Sequence, residues 1–348
     1  MSKRYRIGIV GAGFGVAAHL PALTAHPRFD VVALASPRSA ARIAAERAIA
    51  AFPSCREMLA GCELDAVTVA SPPFAHERDV EDVLRAGKHV ICEKPFALNL
   101  DSAERMLEAS RAAGTACGVA HEFRFVPQIA ALRELVANHH LDPVRNLEIT
   151  ALRAFLRRHD ARTRGWWFDR KLGGGLAGAL MSHVVDMANW LTGERPRRTS
   201  GFVRTANRRR RDDDGEFVST VDDGAFALVE YPGGAVGRLS ADATTSAGGF
   251  TCAVHGESRT AVASGPSMTQ MGLYSIDADE TSELDCKPSP YAALSSVNPN
   301  VPYLAELYDE FVKAIEGTAN GLPTFEEAVV TQGVLAAIGF EIPSPRAV

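Results

Sequence analysis

Short apolar runs alternate with Ala-rich amphipathic stretches through the first 120 residues, and this alternation restricts the fold more than any other feature of the chain. Runs at 5–10, 31–35, 66–70, 89–92 and 116–120 have the length and branching of strands buried on both faces. Between them, residues 16–26, 38–50, 76–86 and 101–113 read as helices, the last with Asp101 as its N-cap. Parallel strands need a crossover to return to the same sheet edge, and a helix is the usual one, so the pattern implies a doubly wound α/β sheet.

Near residue 122 the texture changes. A helix at about 127–138 leads into longer strand-like segments at 144–155, 197–206, 221–231, 234–243, 250–255, 258–264 and 268–276. Tyr231-Pro232-Gly233-Gly234 and Gly256-Glu257-Ser258 mark turns between neighbouring segments, which implies an antiparallel sheet. Two helices, 303–316 and 325–338, close the chain. The expectation is an α/β Rossmann domain at 1–121 and an α+β domain with an open, mostly antiparallel sheet at 122–348, whose closing helices can pack back on the first domain.

Composition narrows the function. With 348 residues, 46% apolar, the chain can build two cores, and 23% charged residues is too few for a disordered chain. A net charge of −5 leaves no basic footprint for nucleic acid or an anionic membrane. The one dense basic run, Arg208 to Arg211, is answered at once by Asp212, Asp213 and Asp214. No stretch reaches the roughly 18–20 apolar residues of a membrane span. The strand pattern Ile7-Gly8-Ile9-Val10 is entered after only six residues, so no signal peptide is expected. The six cysteines form no CxxC pair and read as reduced thiols of a cytoplasmic protein. No cluster has metal-ligand spacing, and no nucleophile–base motif of a hydrolase is present.

The first chemical motif is Gly11-Ala12-Gly13-Phe14-Gly15-Val16 after the strand at 5–10. Gly11 suits the tight turn, and Gly13 lets backbone N–H groups approach a pyrophosphate at a helix N-terminus. Gly15 stands one place before the usual third glycine, where this chain has Val16. The second strand ends Ala35-Ser36-Pro37-Arg38, with Arg42 one turn on. An NAD site commonly places an acid there for the ribose 2′-hydroxyl. A serine with a guanidinium suits a 2′-phosphate instead, so NADP is expected, with NAD as the other possibility. The bland reading makes Ser36 a helix cap and leaves both arginines solvated.

Further along stand Ser71-Pro72-Pro73, Cys92-Glu93-Lys94-Pro95, Glu122-Phe123-Arg124, Trp166-Trp167-Phe168 and Gly173-Gly174-Gly175 leading to His183 and Asp186. Together with the glycine turn they resemble the Gfo/Idh/MocA oxidoreductase family over most of the chain. The resemblance implies a nicotinamide cofactor and a small-molecule sugar, cyclitol or polyol-like substrate oxidised at a secondary hydroxyl. It also implies a homodimer or homotetramer formed through the outer face of the C-terminal sheet. Lys94 then contacts substrate and cofactor, and His183 is the acid/base. Carbinol oxidation needs a group to take the hydroxyl proton, and an imidazole is suited to that near pH 7.

One departure stands out: Ala179 occupies the place, four residues before the histidine, where the family commonly has an aspartate, and Met181 replaces a small glycine. Either the pocket is more apolar there or another acid substitutes, with Glu122 the candidate; alternatively His121 and Glu122 serve the domain junction. Glu122, Arg124, Trp166, Trp167 and Asp186 are the substrate-side candidates. Asp186 lies at i+3 from His183 and either orients the imidazole or is structural. Trp166 and Trp167 either stack on a sugar or pack in the core. His76 either caps its helix or touches the cofactor, and Ser71 and Glu93 join the cofactor set. Arg157, Arg158, His159, Arg162 and Arg164 make a basic loop that either attracts an anionic substrate or is solvated. Two other functions remain open: a redox-neutral elimination or hydrolysis with retained nucleotide, and a non-catalytic dinucleotide-binding regulator.

Overall fold

The computed structural model describes residues 3–158, 164–277 and 280–342. The chain divides into two compact units, residues 1–122 with 289–329, and residues 123–288 with 330–348.

In the first unit, strands β1 (Tyr5–Val10), β2 (Phe29–Ala35), β3 (Ala50–Phe52), β4 (Ala66–Val69), β5 (His89–Cys92) and β6 (Cys117–Val119) form one sheet in the order β3-β2-β1-β4-β5-β6. All its pairings are parallel. Helices α1 (Leu20–Ala25), α2 (Ala40–Ala45), α3 (Cys55–Gly61), α4 (Pro73–Arg85) and α5 (Leu100–Ala113) supply crossovers. Strand order reverses between β1 and β4, where sheets of this kind bind ligands beyond the strands' carboxyl ends. The core carries Ile7, Ile9, Leu34, Val67, Ile91 and Met106, each fully buried.

Three local expectations change. The helix expected over 38–50 stops at Ala45, because residues 50–52 pair in parallel with β2. Sheet pairing overrides the helix preference of this Ala-rich stretch. The N-cap of α5 is Asn99, whose side chain accepts the Ser102 N–H, while Asp101 sits in the first turn. Helix α4 begins at Pro73, so His76 lies inside it and caps nothing.

The second unit holds α6 (Pro127–Ala137), β7 (Val144–Leu152) and α7 (Ser182–Thr192). It continues with β8 (Arg198–Arg204), β9 (Arg209–Asp212), β10 (Gly215–Val218), β11 (Gly224–Glu230), β12 (Val236–Asp242), β13 (Gly249–Gly256), β14 (Thr260–Ser267), β15 (Gln270–Ile276) and β16 (Thr281–Glu283). Eight of these strands form an open sheet, β16-β15-β14-β13-β7-β12-β11-β8. Every pairing is antiparallel except β7 with β12. The Arg208–Asp214 run, read above only as self-neutralised charge, supplies β9 of a separate hairpin with β10.

Period-two alternation sets the faces of this sheet. Leu147, Ile149, Ala227, Val229 and Leu239 are buried on one face, against which α7 packs at β7 and β12. Phe226, Leu228 and Arg238 alternate with them and point the other way. The closing helices are α8 (Val301–Ile315), in the first unit, and α9 (Phe325–Ala337).

Candidate active site

In the first unit the candidate residues gather at the carboxyl ends of β1, β2, β4 and β5. The Gly11 N–H donates to the Ala35 carbonyl at 2.9 Å, which ties the glycine turn to the end of β2. Gly11 has φ +107°, and a Cβ there would stand 2.1 Å from the Ala70 carbonyl oxygen. No other residue type fits both the backbone and the space. Gly15 packs the following helix onto the sheet, since its Cβ position lies 3.0 Å from Ile9 Cγ2 and 3.3 Å from the Ala70 Cβ. It therefore does the work of the usual third glycine one place early. The extra residue is taken up by a π turn over Gly15–His19, in which the Leu20 N–H bonds the Gly15 carbonyl.

Gly13 differs from both: nothing lies within 4 Å of where its Cβ would be, and it is exposed. A glycine whose Cβ position is open, at the head of a crossover beside the strand-order reversal, fits the cradle of a dinucleotide pyrophosphate. Phe14 beside it sets its ring edge-on to His19 at 5.6 Å. Ser36 is half-buried and its N–H donates to the Phe52 carbonyl. Arg38 is exposed just beyond, whereas Arg42 pairs with Glu46 at 3.0 Å. The Ser71 hydroxyl donates to Asp79 at 2.8 Å.

His76 is fully buried, with Nδ1 3.0 Å from the Pro95 carbonyl and Nε2 2.7 Å from the Ser71 carbonyl. Both ring nitrogens thus face backbone carbonyls, and the neutral ring donates to one of them. Burial pushes its pKa down, against the pull of the Ser71 contact and of Glu93.

Glu93 is buried beside the half-buried Lys94. Its Oε1 lies 2.8 Å from His19 Nε2, and its Oε2 accepts the Lys94 N–H at 3.1 Å. Burial pushes this carboxyl up, but the His19 contact and the Lys94 charge outweigh it and hold the group below its ordinary range. His19 continues to the Tyr308 hydroxyl at 2.7 Å, which lies 2.8 Å from Thr68 Oγ1. The sequence reading missed His19, Thr68 and Tyr308. The available signal was one polar side chain in the apolar stretch Val16-Ala17-Ala18-His19-Leu20.

The second unit carries the histidine helix. Gly174 stands where a Cβ would be 2.2 Å from the Trp167 carbonyl oxygen. Gly175 has φ +113°, and its Cβ would be 2.5 Å from Asp222 Oδ1. Asp222 caps the segment from outside: its carboxylate accepts the Ala177 N–H at 2.6 Å and its carbonyl accepts the Leu176 N–H at 3.2 Å. Burial raises the Asp222 carboxyl to about 6, against the stabilising Ala177 contact. Ala177–Met181 forms a second π turn, and α7 follows.

His183 is buried, its ring 4.4 Å from that of Phe123 and tilted by 57°. Asp186 and Arg124 are joined in a buried bidentate pair at 2.5 and 2.8 Å, with the guanidinium also over the Trp190 ring. Two separately chosen candidates are therefore each other's partners. Trp167 is buried against Phe155 and Phe168, while Trp166 remains 38% exposed. Of the two departures from the family pattern, Met181 is fully buried and Ala179 is half-exposed. Glu122 and His121 are buried at the end of the first unit and beside it. In the basic loop, Arg157 donates to the Ser246 carbonyl and Arg164 pairs with Asp212; His159 and Arg162 lie outside the described residues.

Comparison with known proteins bears on the fold and the family. Residues 5–121 match the model of an oxidoreductase family with an NAD-binding Rossmann fold, and residues 129–262 match the GFO/IDH/MocA C-terminal domain. An uncharacterized oxidoreductase of Synechocystis sp. is 33% identical over 55% of this chain and 52% of its own, so the match spans about half of that relative. Levoglucosan dehydrogenase of Pseudarthrobacter phenanthrenivorans is 27% identical over 73% of this chain and 72% of its own. A solved levoglucosan dehydrogenase in complex with NADH and levoglucosan superposes with a TM-score of 0.85 at 22% identity, covering 97% of this chain and 96% of the other.

Proposed function

The chain belongs to the Gfo/Idh/MocA oxidoreductase family, and from that premise we propose that it transfers hydride between a nicotinamide nucleotide, NADP(H) in preference to NAD(H), and a secondary hydroxyl or ketone of a sugar, cyclitol or polyol-like substrate. The observation that carries the reading is the open face of Gly13 beside two glycines that are closed against protein. Gly11, Gly13, Phe14 and Gly15 would hold the pyrophosphate end, Ser36 and Arg38 the ribose substituent, and Ser71, Glu93 and Lys94 the nicotinamide end. A nucleotide bound there would supply or accept the hydride.

The protein's own groups handle the proton and the charge. Lys94 stabilises the negative charge that develops on the reacting oxygen, a form of electrostatic assistance that is strongest in a dry site. His183 takes or returns the hydroxyl proton. The Arg124–Asp186 pair holds the segment after residue 122 against α7 and so fixes the Phe123 ring beside the imidazole. The exposed Trp166 ring is suited to stacking on a sugar face, and the levoglucosan dehydrogenase relative supports a carbohydrate-like substrate. The outer face of the C-terminal sheet, with Phe202 58% and Leu228 45% exposed beside the Arg238–Glu148 pair, is the surface for self-association.

Fluorescence titration with NADPH and NADH, followed by a polyol and sugar screen at 340 nm, tests the reading. Tight NADPH and weaker NADH binding is expected. Ser36→Asp should reverse that order, because a carboxylate repels a 2′-phosphate and accepts from a 2′-hydroxyl. Lys94→Ala should lower turnover by roughly 10²–10⁴-fold while still binding nucleotide. Failure to bind either nucleotide would remove the oxidoreductase reading. Turnover without an absorbance change would point to redox-neutral chemistry instead.

A further inference from the structure

We propose that His19 is a positioning residue for Lys94, acting through Glu93, and that it does so by locking the nucleotide turn to the end of β5. This rests on the reading of Lys94 as a group that acts on the substrate oxygen. The geometry is a chain of hydrogen bonds that ends on an ionised carboxylate, which can only accept. Burial raises the Tyr308 hydroxyl well above its usual range, so it keeps its proton and can donate to His19 Nδ1. The carboxylate has no proton to give, so His19 Nε2 donates to Glu93 Oε1, and Glu93 Oε2 accepts the Lys94 N–H. Thr68 Oγ1 completes the far end, 2.8 Å from the Tyr308 oxygen.

Four separate segments meet in this chain: β4 at Thr68, α8 at Tyr308, the π turn at His19 and the end of β5 at Glu93. His19, Tyr308 and Thr68 are fully buried, so the chain does not run to solvent and is unsuited to carrying protons out. Its product is position. Glu93 is held ionised with one oxygen on the Lys94 amide, which fixes both the backbone and a negative charge one residue from the ammonium. His76 Nδ1 lies 3.0 Å from the Pro95 carbonyl on the other flank.

The π turn is what aims His19. One extra residue per turn rotates the following side chains by about 100°, and it is this turn, closed by Leu20 N–H to Gly15 carbonyl, that presents His19 to Glu93. A change at the nucleotide turn is thereby transmitted to the lysine.

Two variants separate positioning from mere support. In His19→Gln the amide nitrogen falls near Nε2 and keeps a donor for Glu93. In His19→Asn it falls near Nδ1 and the donor is lost. The chain has six lysines, so reductive ¹³C-methylation gives a simple spectrum in which Lys94 is assigned by its loss in Lys94→Arg. In His19→Asn the Lys94 resonance should move and kcat fall by roughly 10–100-fold, as small misplacements do, with nucleotide Kd within about threefold. His19→Gln should restore both. Should His19→Asn not fold, Glu93→Gln replaces it, with the same expected displacement of the Lys94 resonance.

An unmoved Lys94 resonance and unchanged kcat in a folded His19→Asn would overturn the proposal. So would an equal loss in both His19 variants that follows melting temperature alone. If the wild-type protein oxidises no hydroxyl substrate while the Lys94 resonance still follows the Asn/Gln pattern, the reaction reading fails and the positioning proposal stands.

Discussion

The glycine turn at 11–15 and the glycine run at 173–175 both feed a π turn and then a helix, and each delivers a buried histidine, His19 in one case and His183 in the other. Their glycines face different neighbours. Gly174 and Gly175 are closed against the Trp167 backbone and the Asp222 carboxylate, so the second run is shaped by the protein's own atoms. In the first, Gly11 and Gly15 are closed in the same manner, but Gly13 faces open space. A glycine run thus has two uses that sequence spells alike. Close approach of backbone to backbone is one, and close approach of backbone to a ligand is the other. Only the surroundings tell them apart.

The largest effect expected from this comparison is at Gly174. An added Cβ would meet the Trp167 carbonyl oxygen at 2.2 Å, and a backbone oxygen cannot swing away as a side chain can. Gly174→Ala should destabilise the second unit by about 3 kcal/mol, the upper end of ordinary overpacking, because the atom it meets is backbone. Thermal unfolding with far-ultraviolet circular dichroism reads it. A melting temperature within a degree or two of wild type would show that the run is not a packing device.

Much of the chain's architecture was legible in its sequence, and the reasons for the exceptions are physical. Parallel strands buried on both faces announce themselves as apolar runs, so β1, β2, β4 and β5 fall where the pattern places them. The strand at 50–52 was missed, and the helix carried on to residue 50, because alanine favours helix locally, while pairing with β2 is a long-range choice no local pattern carries. The β7–β12 parallel pairing was hidden for the same reason. At the site, Gly11, Gly13 and the Glu93-Lys94 pair were visible as motifs. The Arg124–Asp186 pair and the Glu93–His19–Tyr308 chain were not, since their members stand 62, 74 and 289 residues apart.

A middle-sized effect is expected at Asp222, which caps the second run and has no counterpart at the first among the described residues. Its carboxyl is raised from 3.8 to about 6 by burial, so between those values the folded protein holds a proton that the unfolded chain has released. Stability therefore falls as pH rises through about 4 to 6, by up to about 3 kcal/mol from this group. Asp222→Asn keeps an acceptor for the Ala177 N–H and removes the titration. Relative to wild type, the variant should gain stability progressively between pH 4 and pH 7, measured by urea unfolding at each pH. A wild-type-to-variant difference that does not change with pH would mean the carboxyl is not held neutral by its burial.

The smallest effect on the fold, and the one that separates the two runs most directly, is expected at Gly13. Nothing lies within 4 Å of its Cβ position and its φ is not in the left-handed region, so Gly13→Ala should leave stability within about 0.5 kcal/mol of wild type. The same methyl would stand where a pyrophosphate must approach the backbone. Nucleotide affinity should fall by roughly tenfold or more, equivalent to about 1.4 kcal/mol or more, with the melting temperature of the nucleotide-free protein unmoved. Gly174→Ala is the mirror image, losing stability by a backbone clash in the other unit. If Gly13→Ala instead binds nucleotide as wild type does, the open face of that glycine is not the cradle, and the two runs differ only in what they pack against.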